Sequence, residues 1–188
     1  MKIEHETQIL EFDEKEVVKK LRDLGAKEEP EILQKRWVLG NNENGNWIRL
    51  RKSGDRTTLC HKKKIDKSIS GTREIEVEVG DFDKMADLLV NLDLFEEKYY
   101  QENKRKLFLF NGIEFTIDSW PLIPKKLEIE AKSEAKVREG LELLGLAGKD
   151  EGHIGMKEIY RRYGMDIHSF EKLTFDTKPT KCNFTLDI

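Results

Sequence analysis

Several things are scarce in this sequence, and each scarcity removes a class of protein. Two cysteines in 188 residues, Cys60 and Cys182, are too few and too far apart for a disulfide framework or a cysteine metal site. A reducing, cytoplasmic setting is the expectation. No apolar run approaches the roughly 20 residues of a membrane-crossing helix, and no apolar leader precedes the charges that begin at Lys2. Neither sign of charge dominates: 34 Lys and Arg stand against 37 Asp and Glu, a formal net charge of −3. That balance gives no support for bulk binding to nucleic acid or an anionic membrane. An anionic ligand would have to be held by cations placed locally. No linker, low-complexity tract or repeat divides the chain, so one domain is expected over residues 1–168, with a tail of unassigned role at 169–188.

What is abundant is charge, at 38% of residues against 37% apolar, and its placement is regular. Side chains alternate between the two faces of a strand. In Lys2–Leu10, Glu4, Glu6 and Gln8 share one face, and Ile3, Thr7 and Ile9 the other. Trp47–Arg51 puts Arg49 and Arg51 opposite Ile48 and Leu50. Thr57–Lys63 puts Thr58, Cys60 and Lys62 on one face. Arg73–Val79 sets Glu74, Glu76 and Glu78 against Ile75, Val77 and Val79. Tyr99–Phe110 carries Lys104, Lys106 and Phe108 on one side, with Arg105, Leu107 and Leu109 on the other. Asn111-Gly112 is a two-residue hairpin signal. Ile113–Trp120 then aligns Glu114, Thr116 and Asp118, and Lys126–Lys132 aligns Glu128 and Glu130. A further strand is expected at Ile32–Leu39, with a turn in the Asn-rich stretch after it. Helical spacing marks a helix opened by Asp13 and closed by Gly25. It marks others at Asp81–Leu92 (buried stripe Phe82, Met85, Leu88, Leu89, Leu92), at Glu134–Leu144 and around Tyr160. The pattern fits two α+β architectures. One is a closed eight-stranded antiparallel barrel with charged faces inside and helices outside. The other is an open sheet with one wet face.

Taken together, these motifs resemble the CYTH superfamily, the triphosphate tunnel metalloenzymes, which include class IV adenylyl cyclases, thiamine triphosphatases and inorganic triphosphatases. The family's Glu-x-Glu-x-Lys stands here as Glu4-His5-Glu6-Thr7-Gln8, with Gln in place of Lys. Arg49-Leu50-Arg51 resembles its Arg-x-Arg strand, Lys62 its phosphate-facing lysine, and Arg73-Glu74-Ile75-Glu76 its Arg-Glu-x-Glu strand. Lys104-Arg105-Lys106, Asp118 and Glu128-Ile129-Glu130 complete the series, which runs from residue 1 to about 165. The resemblance implies the closed barrel, a small-molecule triphosphate substrate and a monomer or homodimer, with neither nucleic-acid nor membrane partners.

The chemistry of these residues agrees. A triphosphate needs several fixed cations, forked ones above all, and Arg49, Arg51, Lys62, Lys104 and Lys106 are the candidates. Mg²⁺ or Mn²⁺ needs oxygen ligands, and Glu4, Glu6, Asp118, Glu128 and Glu130 are the candidate set. Gln8, Glu74, Glu76 and Lys62 are candidates for ordering the reacting groups. Gln8 lacks the charge and basicity of a lysine; Lys132, beside the Glu128/Glu130 strand, is one residue that could supply a charge instead. Blander roles stand beside these: Arg49 and Arg51 pairing with Glu74 and Glu76 across strands, and Trp37, Trp47 and Trp120 as packing residues. His153 shows no metal spacing. Three functions follow: a metal-dependent triphosphatase, a class IV adenylyl cyclase forming cyclic AMP and pyrophosphate, and a non-catalytic polyphosphate- or nucleotide-binding module.

Overall fold

Period-two alternation over long stretches makes most of this chain strand. The computed structural model describes residues 2–40, 45–66, 68–69, 71–92 and 94–179, with residues 2–4 described by backbone alone. Among the described residues there are ten strands: β1 (Lys2–Ile9), β2 (Lys27–Glu28), β3 (Ile32–Leu39), β4 (Asn46–Ser53), β5 (Arg56–Lys64), β6 (Thr72–Glu78), β7 (Lys98–Phe110), β8 (Ile113–Ser119), β9 (Lys126–Ala131) and β10 (Lys172–Leu173). Four helices accompany them: α1 (Glu14–Asp23), α2 (Phe82–Asn91), α3 (Glu134–Leu144) and α4 (Met156–Arg162). The long strands and the helices fall where periodicity put them. The two-residue strands β2 and β10 are too short to leave a pattern. The expected turn at residues 41–44, and Cys182, lie outside the described residues.

Eight strands curl in the order β7-β3-β4-β5-β6-β1-β9-β8, antiparallel throughout, and β8 returns to pair with β7 along its second half. The α+β expectation holds, but the closed barrel does not: the curled sheet is open on the side between β1 and β6. These two strands pair only at Lys2↔Glu74, Ile3↔Arg73 and Glu4↔Thr72. From His5 onward β1 swings to β9, which it follows from His5↔Ala131 to Ile9↔Leu127. The edge it turns away from β6 is satisfied by loop backbone instead. The Glu6 N–H donates to the Ile69 carbonyl (3.0 Å), the Gln8 N–H to Gly152 (3.2 Å), and the Glu151 N–H to Gln8 (2.8 Å).

The outer face is apolar where helices cover it. Asp13 caps α1 by accepting from the Lys15 and Glu16 N–H groups. With α3, α1 packs Val17, Leu21, Val137, Leu141 and Leu144 against Ile9, Phe115, Leu127 and Ile129 of the sheet. α2 sets Phe82, Ala86 and Leu89 against Leu39 and Leu50. Its buried stripe is narrower than expected, since Leu88 and Leu92 are exposed. The helices reach β3, β4 and the β1–β9–β8 side but not β6, so Ile75 and Val77 stay about half exposed, at 53% and 52%.

α3 approaches the sheet closely because Gly140 has no side chain. A Cβ at that position would lie 2.8 Å from Ile129 Cγ2 and 3.3 Å from Phe115 Cε1. Overpacking of this kind costs about 1–3 kcal/mol, against a helix-propensity gain of about 1 kcal/mol. Gly140→Ala is therefore expected to lower the urea midpoint with an unchanged slope.

The chain after α3 folds back over one end of the curled sheet. Trp120, Tyr160, Met165, Ile167, Phe170 and Leu173 form a separate apolar cluster, and the Tyr160 hydroxyl donates to the Pro121 carbonyl (2.6 Å). Phe170 and Leu173 lie beyond the domain boundary expected at 168, yet they are buried.

Candidate active site

Because each strand of the curl turns one of its two alternating faces inward, the sheet encloses a cavity of about 680 Å³ lined mainly by charged side chains. It has two unlike walls. One is cationic and comes from the neighbouring strands β3 and β4: Arg36, Arg49 and Arg51. The other is acidic, comes from β1 and β9 across the curl, and presents Glu6, Glu128 and Glu130. β5 and β6 join the walls with Lys62, Glu74 and Glu76, and β7 and β8 join them on the other side with Gln101, Arg105 and Asp118.

The cationic wall is crowded with like charge. Arg36 is buried, and its Nη2 donates to Gln34 (3.1 Å) and to Asn103, while its guanidinium lies 4.7 Å over the Trp120 ring. Burial, then repulsion from Arg49, Arg51 and Arg105, holds its pKa well below the usual arginine range. Arg51 is pushed down to about 9, first by Arg49 beside it and then by burial. Glu76 gives partial relief, 3.8 Å from Arg49 and 3.6 Å from Arg51. The Nε–H groups of Arg36 and Arg49 are buried and meet no acceptor among the described residues. Buried donors without acceptors are costly.

On the acidic wall, carboxylate oxygens of Glu6, Glu128 and Glu130 lie within 4.8 Å of one another. The Gln8 amide sits beside them: its Nε2 donates to Glu128 Oε2 (3.4 Å), and its buried Oε1 has no partner among the described residues. Three carboxylate oxygens and an orphaned amide oxygen suit a hard divalent cation. His153, brought in by the loop before α4, places its Nδ1 on Glu6 Oε1.

Between the walls lies a buried cluster of two cations and two carboxylates. Arg105 forks onto Asp118 (2.7 and 2.6 Å) and reaches Glu128 Oε1 (3.1 Å). Lys126 bridges Glu128 Oε2 (2.7 Å) and Asp118 Oδ2 (3.3 Å). Burial alone would raise both carboxyl pKa values. Arg105 and Lys126 outweigh it, holding Asp118 below and Glu128 well below the ordinary range. The same pairing raises Lys126 against the opposing effect of burial.

The structure thus brings Glu6, Gln8, Arg49, Arg51, Lys62, Glu74, Glu76, Asp118, Glu128 and Glu130 to one cavity. Asp118 faces Arg105 and Lys126 and stands outside the carboxylate trio. The Glu4 side chain lies outside the described residues. Lys104 and Lys106 are not brought in: Lys104 sits 5.0 Å over the Phe175 ring, and Lys106 pairs with Glu28 at 2.6 Å. The inward cation of β7 is Arg105. Lys62 pairs with Glu74 at 3.5 Å. Cys60 also donates to Glu74 (3.4 Å), and burial pushes its thiol up to about 12, so it stays neutral. Sequence reasoning missed Arg36, Lys126 and His153. Arg36 shared its parity with the polar Gln34, which was the available clue; a loop histidine such as His153 offers none.

No protein-family profile and no curated protein matches the sequence. Solved structures match the fold. The PH1012 protein of Pyrococcus horikoshii OT3 is 20% identical with a TM-score of 0.67, the match covering 81% of this chain and 96% of that one. A candidate adenylate cyclase of Vibrio parahaemolyticus is 13% identical with a TM-score of 0.68, over 85% and 98% of the two chains. HpAC1 of Hippeastrum, a candidate adenylyl cyclase described as having a dominant triphosphatase activity, is 16% identical with a TM-score of 0.57, over 87% and 96%. At these identities the likeness is one of fold. Among the described residues no helix is long and apolar enough to cross a membrane.

Proposed function

We propose that this protein is a metal-dependent phosphohydrolase acting on a triphosphate: tripolyphosphate, a nucleoside triphosphate or thiamine triphosphate. The observation that carries the reading is the pair of unlike walls, with crowded, partly unsatisfied guanidinium groups facing a carboxylate trio across one cavity. A triphosphate would lie along the first wall, and Glu6, Glu128 and Glu130 on the second would hold a divalent ion, which would supply charge neutralisation at its reacting end. Arg36, Arg49 and Arg51 bind and orient phosphate oxygens, and the repulsion among the three is relieved as the anion enters. Lys62, held by Glu74, adds a point charge. Glu76 keeps Arg49 and Arg51 aimed inward. Gln8, hydrogen-bonded to Glu128, sets its amide beside the metal-binding oxygens, where water would be ordered for attack. Catalysis on this reading is positioning and charge stabilisation.

Cyclisation of ATP is the second reading. It is favoured by aromatic groups on the cavity wall, Trp47 and His168, against which a base could stack. The deciding experiment is incubation with Mg²⁺ or Mn²⁺ and each triphosphate, with products resolved by phosphorus NMR. Orthophosphate is the expected product. Cyclic AMP with pyrophosphate would replace the first reading with the second, and tight binding without any product would leave a recognition module.

A further inference from the structure

Lys126 is the least expected group in the cavity. It is 3% exposed, and Lys132, the residue sequence reasoning offered as a source of charge, is on the surface. The Lys126 ammonium bridges one oxygen of Asp118 and one of Glu128. Bridging two carboxylate oxygens inside a phosphate-binding cavity is what a bound divalent ion does. With Arg105 on the same two carboxylates, two cations balance two anions, and the cluster is formally neutral as it stands. An ion added there would bring two further positive charges against Arg105 and Lys126 at low dielectric.

Gln8 supplies an independent observation. It lies opposite Glu128 in the β1–β9 register, and its amide donates to the same Oε2 that accepts from Lys126. A lysine at position 8 would put two ammonium groups on one oxygen. The neutral residue on β1 and the charged one on β9 are therefore halves of one arrangement, with the positive charge at this oxygen carried by β9. The Lys126 ammonium donates to Glu128, pairs with Asp118 and lines the cavity.

We propose that Lys126 holds the position of a second divalent cation, so that the site works with one exchangeable ion, on the Glu6, Glu128 and Glu130 oxygens, and one built-in ammonium. This rests on the metal-dependent reading above. It is tested by counting bound Mn²⁺ by electron paramagnetic resonance and calorimetry, alongside turnover, in the wild type, Lys126→Gln and the double variant Gln8→Lys/Lys126→Gln. The wild type is expected to bind one Mn²⁺ per chain. Lys126→Gln is expected to bind Mn²⁺ at least about tenfold more tightly, or to gain a second ion, while turnover falls at least about tenfold. The double variant returns charge to the same Glu128 oxygen and is expected to restore the single ion and most of the turnover. A merely structural lysine would instead weaken metal binding and turnover together, and that result would overturn the proposal. Two ions of similar affinity in the wild type would overturn it as well, even if Lys126→Gln failed to fold. If the wild type binds one Mn²⁺ and the variants behave as described in metal binding, but no triphosphate is turned over, the enzymatic reading falls and the role of Lys126 as a counter-cation stands.

Discussion

Glu128→Gln is expected to cut metal-dependent turnover by about two to three orders of magnitude while leaving a folded protein, the scale of losing one preorganised charge-stabilising contact. Glu128 is where the site's parts converge. Its Oε2 accepts from Lys126 and Gln8, its Oε1 accepts from Arg105, and it completes the carboxylate trio with Glu6 and Glu130. Glutamine keeps the shape and most hydrogen-bonding capacity but removes the charge that an ion and two neighbouring cations require. The control is Glu78→Gln. Glu78 belongs to the same run of alternating glutamates on β6, yet its side chain is 69% exposed and pairs with Arg56 at the surface. Turnover there is expected to change by less than about twofold, since exposed pairs contribute little. Steady-state rates at saturating Mn²⁺, with circular dichroism to verify folding, separate the outcomes. Equal losses in both variants would mean that bulk charge, and not this cavity, governs the activity.

Asp118→Ala is expected to cost about 3–5 kcal/mol of stability at neutral pH, the usual scale for breaking a buried ion pair from one side. The change leaves two buried cations, Arg105 and Lys126, to share the single carboxylate of Glu128, and takes from the Asn103 amide its acceptor on Asp118. The effect has a pH signature. Asp118 and Glu128 are held below their ordinary pKa values by Arg105 and Lys126, which outweigh burial. A depressed carboxyl pKa contributes stability that is fully present above the unfolded value of about 4 and is lost as pH falls through the folded value. Wild-type stability, measured by urea denaturation without divalent ions, should therefore be level from neutral pH to about 5 and decline below about 4. The gap to Asp118→Ala should narrow over that same acid range. A gap independent of pH would mean that packing, not charge, accounts for the loss.

Where one face of a strand carries charge and the other aliphatics, the sequence predicts its orientation correctly. On β1, β4, β8 and β9 the inward residues Glu6, Gln8, Arg49, Arg51, Asp118, Glu128 and Glu130 are all on the face their parity indicated. β7 has cations on both faces, and there the rule failed. Leu107 and Leu109 suggested that Arg105 faced out. Phe108, wholly buried with the helix-covered core, shows that the even-numbered face is the outer one, so Arg105 turns inward with Gln101 and Asn103. Arg36 and Lys126 escaped notice because neither the Arg36 contact with Asn103 nor the Lys126 bridge between Asp118 and Glu128 exists before strands meet. His153 and α4 reach the cavity through a fold-back that no local pattern encodes. The open side of the sheet was equally hidden, since it depends on how far β1 leans toward β9.

The position of β1 also bears on the order of assembly. β3 through β6 pair with neighbours close in sequence and can zip up as hairpins. β1 is different: Gln8 meets Glu128 across 120 residues, so the chain must close a very long loop before this contact contributes anything. The acidic wall is complete only once that loop has closed and Glu6 and Gln8 lie alongside β9. A divalent ion that binds this wall recognises the closed chain alone. It should slow unfolding more than it speeds folding if that closure follows the rate-limiting step.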